Sequence, residues 1–497
     1  MLSNKFYRRS CLLLPAIAAV TMLSHPCTAE ETTKDPKTGY ESVPEGRKVV
    51  DFYRGDELKN LHDEHRLSTK VPVYPVDPVG RLEPVFGLGD PFLGNGPIAQ
   101  GIKTPTGQVL QPWFLLYGSY RSALQSFDSG GQNTFEWANR VDLNGNLNLS
   151  GTERLVFSLR PLDSRNGSYT GYTFDSPGKN GWNEGFNSAL TRLYFEGELG
   201  EILPGLDPND SDTYDIGFSV GRQLLQVQDG ILVNDIVDSV GITRNSLVFK
   251  GITNLRITGL YGWDHINRGN NDQVFNANTH SADIFGLFTE ADTALDNTVS
   301  LDLIYVRDKR DGNAWYVGSR STQRIAGWLN STFRVNASIA ENRESTTVGN
   351  GVLLFSQLSA TLSKTDNLAY FNTFYSIDRF TSASRSPDQA TPVANLGILY
   401  APVGLGRYGV PLGDSIDKTI GTALGYQMFL GGIDKQLIFE LGARAGTTSQ
   451  DRGAIGFGAR YQQTFSKRYV LRLDSFVVGK ERENVSYGLR TEWMVRF

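Results

Sequence analysis

The sequence predicts an all-β protein: a transmembrane antiparallel β-barrel of about 16 to 18 strands, even in number as bacterial single-chain barrels require. Three observations predict this fold. Segments of about ten residues alternate between apolar and polar side chains. Long connections between these segments occur at every second position along the chain. The last segment shows the same alternation and ends at Phe497. A barrel wall between lipid and a polar interior produces this pattern.

The last thirteen residues show the alternation most clearly. Val485, Tyr487, Leu489, Thr491, Trp493, Val495 and Phe497 alternate with Ser486, Gly488, Arg490, Glu492, Met494 and Arg496. One face is apolar and aromatic and the other is charged, as expected for a strand with two different surroundings. This strand resembles the closing strand of bacterial outer-membrane barrels. The resemblance implies that Phe497 belongs to the signal read by the barrel-assembly machinery.

Eighteen segments repeat this pattern, and hydrocarbon tolerates strands only where all backbone groups are paired, as in a closed barrel. The predicted strands lie near residues 112–125, 135–149, 153–161, 189–199, 215–226, 241–250, 255–263, 280–288, 298–307, 323–331, 333–340, 351–363, 368–378, 419–429, 437–445, 454–464, 468–478 and 485–497. With Phe497 on the periplasmic side, the long connections 163–188, 264–279, 308–322 and 379–418 become extracellular loops. Residues 379–418 either fold into the lumen as a constriction or form an outer hairpin.

Three regions organise the chain. Residues 1–29 combine a basic start, an apolar run and small residues before Glu30, which predicts a secretory signal peptide. Residues 30–111 have no barrel pattern and are rich in proline, which favours extended chain. They form either a periplasmic extension or a strap in the barrel mouth. Residues 112–497 are predicted to be the outer-membrane barrel.

Composition excludes other classes of protein. Only 39% of residues are hydrophobic, and no later run of 18 apolar residues predicts a membrane-spanning helix. A formal net charge of −5 on 497 residues does not indicate a nucleic-acid partner. The 27 Phe and 21 Tyr fit a barrel wall with aromatic girdles. No catalytic site, metal site or cofactor is predicted; Asp264 and His265 on a long loop are more simply explained as solvated side chains.

The inward face of the predicted barrel is rich in arginine. The residues predicted to line the pore are Arg140, Arg154, Arg160, Arg192, Arg256, Arg334, Glu440, Arg444, Arg460, Arg468, Arg472, Asp474, Arg490 and Glu492. Arginine stays charged and pairs bidentately with carboxylates, so rows of it favour anions in a pore. The alternative is that opposite charges form ladders that stiffen the wall. Both interpretations stay open at this point.

A short motif carries a second resemblance. Gly221-Arg222-Gln223, with Asp229-Gly230 and Thr243-Arg244, resembles a segment of the alginate-export family of outer-membrane barrels. The resemblance implies passive export of an anionic polysaccharide. Arg222 shares its parity with Ile216, Phe218 and Val220, so we expect a bulge there or a position at the rim.

These observations predict a bacterial outer-membrane channel for the passive passage of polar, preferably anionic, solutes that are small or polymeric. The predicted partners are lipid, the barrel-assembly machinery and the solute, whereas the oligomeric state is open. The alternative is a non-conducting scaffold or receptor that binds a partner through the N-terminal segment or the long loops.

Deletion of Phe497 should leave the protein exported but poorly inserted, because the aromatic end of the assembly signal is lost. The measurement is the heat-modifiable folded fraction in outer membranes, compared with deletion of residues 481–484 in a loop. Normal insertion without Phe497 would show that the terminal residue has no such role.

Overall fold

Eighteen antiparallel strands pair edge to edge, and the last strand pairs with the first, so the sheet is closed. The structure is a computed structural model that describes residues 84–89, 101–163, 169–178, 180–206, 213–268, 282–342, 347–363, 365–387, 389–413, 415–448 and 453–497. The segment 1–29 that the sequence assigns to a signal peptide lies outside these residues, as does most of 30–111. None of the helices in the described part of the chain is long and apolar enough to cross a membrane.

The barrel strands are numbered in chain order. They are β1 Trp113–Asp128, β2 Asn133–Asn148, β3 Arg154–Leu159, β4 Leu190–Glu198, β5 Ile216–Val227, β6 Val233–Phe249, β7 Ile252–Asp264, β8 Ala282–Thr293, β9 Asn297–Asp308, β10 Ala314–Ile325, β11 Leu329–Ala340, β12 Gly351–Thr361, β13 Leu368–Asp378, β14 Thr419–Phe429, β15 Lys435–Gly446, β16 Ala454–Thr464, β17 Tyr469–Lys480 and β18 Ser486–Arg496. The shorter elements are strands Phe86–Leu88, Ile102–Lys103, Val109–Leu110, Thr170–Asp175, Gly181–Asn183 and Ser384–Arg385, helix Leu199–Ile202 and 3-10 helix Ala394–Leu396.

The two faces of each strand have different surroundings. In β18, Tyr487, Leu489 and Trp493 are 50%, 64% and 48% exposed on the outside, whereas Arg490 and Glu492 are buried inside. The other strands repeat this arrangement and give the wall an apolar outer surface, which matches a bilayer. The predicted fold class is therefore confirmed.

Closure of the barrel reaches the last residue. The Phe497 N–H donates to the Gly118 carbonyl at 3.0 Å, and the Gly118 N–H donates to the Phe497 carbonyl at 2.7 Å. Phe497 thus pairs with β1 beyond the end of β18. Its predicted role as an assembly signal remains a prediction.

Short turns lie at the end of the barrel that carries Phe497, except for the connection 199–215, and most of the longer connections lie at the other end. Because short turns face the periplasm in outer-membrane barrels, we call these the periplasmic and extracellular ends. The connections 160–189, 265–281 and 379–418 are long, as predicted.

Two predicted boundaries were wrong. The predicted strand 323–331 spans a tight turn in which Ala326 and Gly327 have φ of 50° and 74°, as in type I′ hairpins. Residues 308–322, predicted to be a loop, therefore contain most of β10. The predicted strand 241–250 covers only the second half of β6, which begins at Val233.

The outward parity of β17 gives a direct test of the register. Leu473→Arg places a charge in the lipid-facing band, which costs about 2–4 kcal/mol near the midplane. We expect this variant to lose most of its folded fraction, measured by heat-modifiability in extracted outer membranes. Arg472→Ser, on the inward parity of the same strand, should assemble normally. Equal assembly of the two variants would contradict the register.

Candidate functional site

The β5–β6 hairpin leaves the wall and enters the lumen. β5 pairs with β4 only through Arg222, whereas its pairing with β6 continues to Val227 and Val233. At the tip, Ile231 and Leu232 are fully buried among inward side chains of the wall. Gln228 donates to the Asp302 carboxylate of β9 at 2.6 Å. The hairpin tip (residues 228–232) is thus part of the lumen and not of the wall.

Residues 379–418, which we call the inner loop, also lie inside. Its first part runs beside the hairpin, where Ser384–Arg385 forms a short parallel pairing with β6. The Ala383 N–H donates to the Leu232 carbonyl at 2.7 Å, and Asn395 Nδ2 donates to the Asp229 carbonyl at 2.9 Å. The sequence left open whether these residues fold into the lumen or form an outer hairpin, and the structure shows them in the lumen.

Glu440 of β15 holds the middle of the inner loop. Its carboxylate accepts the N–H groups of Ile398 and Leu399, both at 2.8 Å, and the Tyr370 hydroxyl. A Cβ built on Gly397 would lie 1.8 Å from Glu440 Oε2, so only glycine allows this approach. Glu440 is 1% exposed, and its negative charge is therefore engaged by the loop.

A tyrosine of the loop adds a further contact with β15. The Tyr400 hydroxyl donates to the Ala443 carbonyl at 2.6 Å. Burial raises the pKa of Tyr400, so the hydroxyl keeps its proton and remains a donor. The loop is therefore held by backbone and side-chain hydrogen bonds together.

A row of arginines runs across the wall from β16 through β18 to β3, and we call it the arginine row. It contains Arg460, Arg472, Arg490, Arg121, Arg140 and Arg160, with the carboxylates Asp474, Glu492 and Asp142. Six arginines stand against these three carboxylates, and Asp163 also acts on Arg121, so the row keeps a net positive charge. A further carboxylate of β2, Glu136, is matched by Arg407 of the inner loop at 2.7 Å.

Part of the arginine row is engaged within the wall. Arg490 is fully buried and binds Asp474 at 2.9 Å as well as Glu492. Glu492 also accepts Arg121 Nε and Nη2 at 2.8 and 2.9 Å, a bidentate pair across β18 and β1. Arg460 binds Asp474 at 2.5 Å. These contacts agree with the wall-stiffening interpretation.

Arg472 differs from its neighbours in the row. Its guanidinium donates to Gln462 Oε1 at 3.2 and 3.3 Å, and it has no ion pair with a described carboxylate. Glu492 lies opposite Arg472 in the sheet and Asp474 lies nearby, but neither carboxylate binds the Arg472 guanidinium directly. Arg472 is therefore the member of the row best suited to contact an anion.

The opposite part of the lumen has a more acidic lining. A cavity of about 810 Å³ lies between β3–β10 and the hairpin, and its charged lining comprises Arg154, Arg256, Arg320, Glu196, Glu198, Glu290, Asp229 and Asp302. Glu290 binds Arg256 at 3.0 Å and Arg320 at 2.6 Å. Three arginines stand against five carboxylates, so the lumen has a basic and an acidic side.

The other predicted residues occupy several environments. Arg140 and Arg160 both bind Asp142, at 2.8 and 3.0 Å, and Arg154 binds Glu196. Arg334 binds Asp229 of the hairpin tip, and Arg444 donates to the Leu412 carbonyl at 3.0 Å. Arg192 lies opposite Ser158 on the inward parity of β4, whereas Arg468 lies in the turn before β17.

Sequence reasoning missed several charged residues of the lumen. Among them are Arg121, Arg320, Glu290 and Arg407. Arg121 has the same parity as Gln125 in a predicted strand and could have been found. Arg320 was missed because residues 308–322 were predicted to be a loop and not a strand. Arg407 lies in a loop whose path depends on the fold.

Arg222 lies on the outward parity and takes part in an ion-pair network. Its Nε and Nη2 bind the two carboxylate oxygens of Asp238 at 2.7 and 2.9 Å. His265 Nδ1 lies 3.0 Å from Arg222 Nη2, 3.1 Å from Asp238 and 3.3 Å from Asp264. The Asp264-His265 pair is thus part of this network, and Arg222 does not point into the lumen.

Comparison with solved structures identifies the fold. A BenF-like porin from Pseudomonas fluorescens Pf-5 matches 77% of this chain and 98% of its own, with 10% identity and a TM-score of 0.53. OccK9 (OpdG) of Pseudomonas aeruginosa matches the same shares at 14% identity and 0.51. OpdK of Pseudomonas aeruginosa, solved with vanillate, matches 77% and 97% at 11% identity and 0.50. The chain has the fold of outer-membrane porins.

Identity of 10–14% establishes the fold and leaves the solute open. No family model matches the sequence, and no curated protein matches it. The porin and outer-membrane predictions are supported at the level of fold, whereas nothing in these comparisons supports the alginate-export resemblance. The position of Arg222 on the outward parity also removes that residue from the solute path.

Loss of the Glu440 charge should free the inner loop. Glu440→Gln keeps one acceptor oxygen but loses at least one charge-assisted hydrogen bond, each about 1.5–3 kcal/mol. We therefore expect trypsin to cleave the folded barrel after Arg407 about tenfold faster or more. The control is Glu290→Gln, which removes a lumen carboxylate that does not touch the loop. Equal cleavage of the two variants would show that Glu440 is no anchor.

Proposed function

We propose that this protein is an outer-membrane channel for the passive passage of small anionic solutes. The observation that carries the proposal is the positive surplus of the arginine row, with Arg472 lacking a described carboxylate partner. A guanidinium close to a protein wall of low dielectric constant attracts anions more strongly than one in bulk water. No cofactor and no chemical step enter this mechanism, which is diffusion past a charged wall.

The two-sided charge of the lumen supports selectivity. The arginine row lies across the lumen from the more acidic lining that contains Glu290 and Asp229. The two linings therefore produce an electric field across the passage. Charged walls with low-dielectric surroundings concentrate ions of opposite sign. An anion should therefore pass along the arginine row, whereas Glu290, Arg256 and Arg320 remain paired with one another.

The filled lumen favours small solutes over a polymer. The hairpin tip and the inner loop fill part of the lumen, and a cavity beside them measures about 810 Å³. This volume suits a small molecule. OpdK was solved with vanillate, an aromatic carboxylate, and the same chemical class fits an arginine row here.

A non-conducting barrel is the second candidate. Burial of Leu396, Leu399 and Tyr400 inside the barrel favours it, because a tightly packed inner loop narrows the passage. Conductance in a planar bilayer separates the two candidates directly. Stable insertion without ion-conducting steps would support the scaffold.

The anion preference depends on the arginine row. At an effective dielectric of about 20, a charge about 8 Å away contributes about 2 kcal/mol before screening. Replacing both Arg460 and Arg472 with Gln should therefore lower the chloride-to-potassium permeability ratio several-fold, measured as reversal potential under a tenfold salt gradient. The effect should shrink near 1 M salt, where screening acts within about 3 Å.

Arg307→Gln is the matched control for this experiment. Arg307 lies on the outward parity of β9, is 57% exposed and binds Asp283 at 2.6 Å. Removing its charge should leave the reversal potential unchanged. If the double variant behaves like this control, the arginines serve only the wall and the anion-channel proposal fails.

A further inference from the structure

A short part of the inner loop lies directly on the arginine row. We call residues 403–408 the arm. Arg121 Nη2 donates to the Val403 carbonyl at 2.9 Å, and Arg140 Nη1 donates to the Gly404 carbonyl at 3.0 Å. Next to them, Gln125 Nε2 donates to the Leu405 carbonyl at 3.3 Å. Three neutral carbonyls of the arm thus accept hydrogen bonds from this wall.

The two guanidinium groups converge on one point. A Cβ built on Gly404 would lie 3.8 Å from Arg140 Nη1 and 3.9 Å from Arg121 Nη1. Both side chains are largely buried, with 13% and 12% of their surface exposed. A group with two acceptor oxygens at this point would meet both arginines, and a carboxylate has that shape.

One ion pair holds the arm in place. The carboxylate of Glu136, which is fully buried, accepts the Arg407 N–H at 2.6 Å and Arg407 Nε at 2.7 Å. Arg407 also donates to Thr173 and Ser176, both at 3.1 Å, and its side chain is 41% exposed. Arg407 therefore holds the partly exposed end of the arm against the wall, and we call its ion pair with Glu136 the latch.

The apolar contacts of the arm lie mostly outside the main core of the lumen. Leu405 packs with Ala123, Ala138 and Tyr169, and Val403 and Tyr408 pack with Phe127. These two clusters are small, and they meet the large cluster that holds the hairpin and the rest of the inner loop through Phe476, whose ring lies 5.4 Å from that of Tyr408. The arm can therefore leave the wall by breaking this ring contact while the rest of the large cluster stays packed.

The closed position of the arm leaves one polar atom unsatisfied. The Tyr408 hydroxyl is buried and has no hydrogen-bond partner within the described part of the chain. A buried hydroxyl without a partner costs about 1–3 kcal/mol. This cost favours release of the arm when another ligand can satisfy the arginines.

We propose that the arm is an internal competitor of the solute: a carboxylate that binds Arg121 and Arg140 displaces the Val403 and Gly404 carbonyls and opens the passage. An arginine–carboxylate pair adds the attraction of opposite charges to the hydrogen bond and can form two parallel bonds, which a backbone carbonyl cannot. A carboxylate therefore exchanges a weaker contact of each arginine for a stronger one. The inference rests on the proposed function, because it assumes that anions enter along this wall.

The test uses single-channel recording of the full-length barrel in planar bilayers, with sodium benzoate as the carboxylate probe. In the unaltered protein, the dwell time of the low-conductance level should shorten as benzoate rises, whereas equal added chloride should have little effect. In Arg407→Gln the latch is lost. The dwell time of the low-conductance level should therefore fall about tenfold or more in the absence of benzoate, and added benzoate should no longer change it. Arg407→Lys, which keeps the charge but not the paired geometry, should lie between the two.

Arg307→Gln is again the matched control, because Arg307 lies on the outward parity, binds Asp283 and does not touch the arm. It should keep the dwell times and the benzoate response of the unaltered protein. An anion-selective channel whose low-conductance level does not respond to benzoate, or in which Arg407→Gln behaves like Arg307→Gln, overturns the arm proposal and leaves the proposed function standing. A channel without anion preference overturns the proposed function itself.

Discussion

The whole structure depends on one constraint: every peptide group of the wall needs a hydrogen-bond partner, because hydrocarbon supplies none. The constraint is met by pairing each strand with both neighbours and β18 with β1, and it extends to the contact between Phe497 and Gly118. A closed sheet fixes which side chains face lipid and which face the lumen, since successive residues alternate. The position of the arginine row is thus a consequence of strand pairing.

An 18-stranded wall encloses more space than its own side chains fill, and here the chain fills it with the hairpin tip and the inner loop. Backbone N–H groups carried into the lumen also need acceptors, and buried carboxylates supply them. Glu440 accepts two N–H groups of the inner loop, and Glu136 accepts the N–H of Arg407. The lumen charges therefore divide into those that hold the loop, those that pair within the wall, and a smaller set, with Arg472, that remains for a solute.

Period-two alternation was sufficient to predict the fold, the strand number and most of the inward parity from the sequence, because burial of one face is a local property of each strand. It failed at residues 326–328, where a three-residue turn joins two strands of similar composition, and at the start of β6, where residues 233–235 are all buried because the hairpin enters the lumen. The roles of Glu440 and Arg407 could not be predicted, since their partners lie 41 and 271 positions away. Inward parity predicts that a charge faces the lumen, but only the fold shows what that charge binds.

The most direct test of this account is the position of a bound anion. In crystals of the barrel soaked in 4-bromobenzoate, the anomalous signal of bromine marks where the carboxylate-bearing ring lies. The account predicts a peak beside the arginine row, with the carboxylate within hydrogen-bond reach of Arg472, or of Arg121 and Arg140 with the arm displaced. A peak confined to the cavity beside Arg256 and Glu290, or no peak inside the barrel, would contradict it.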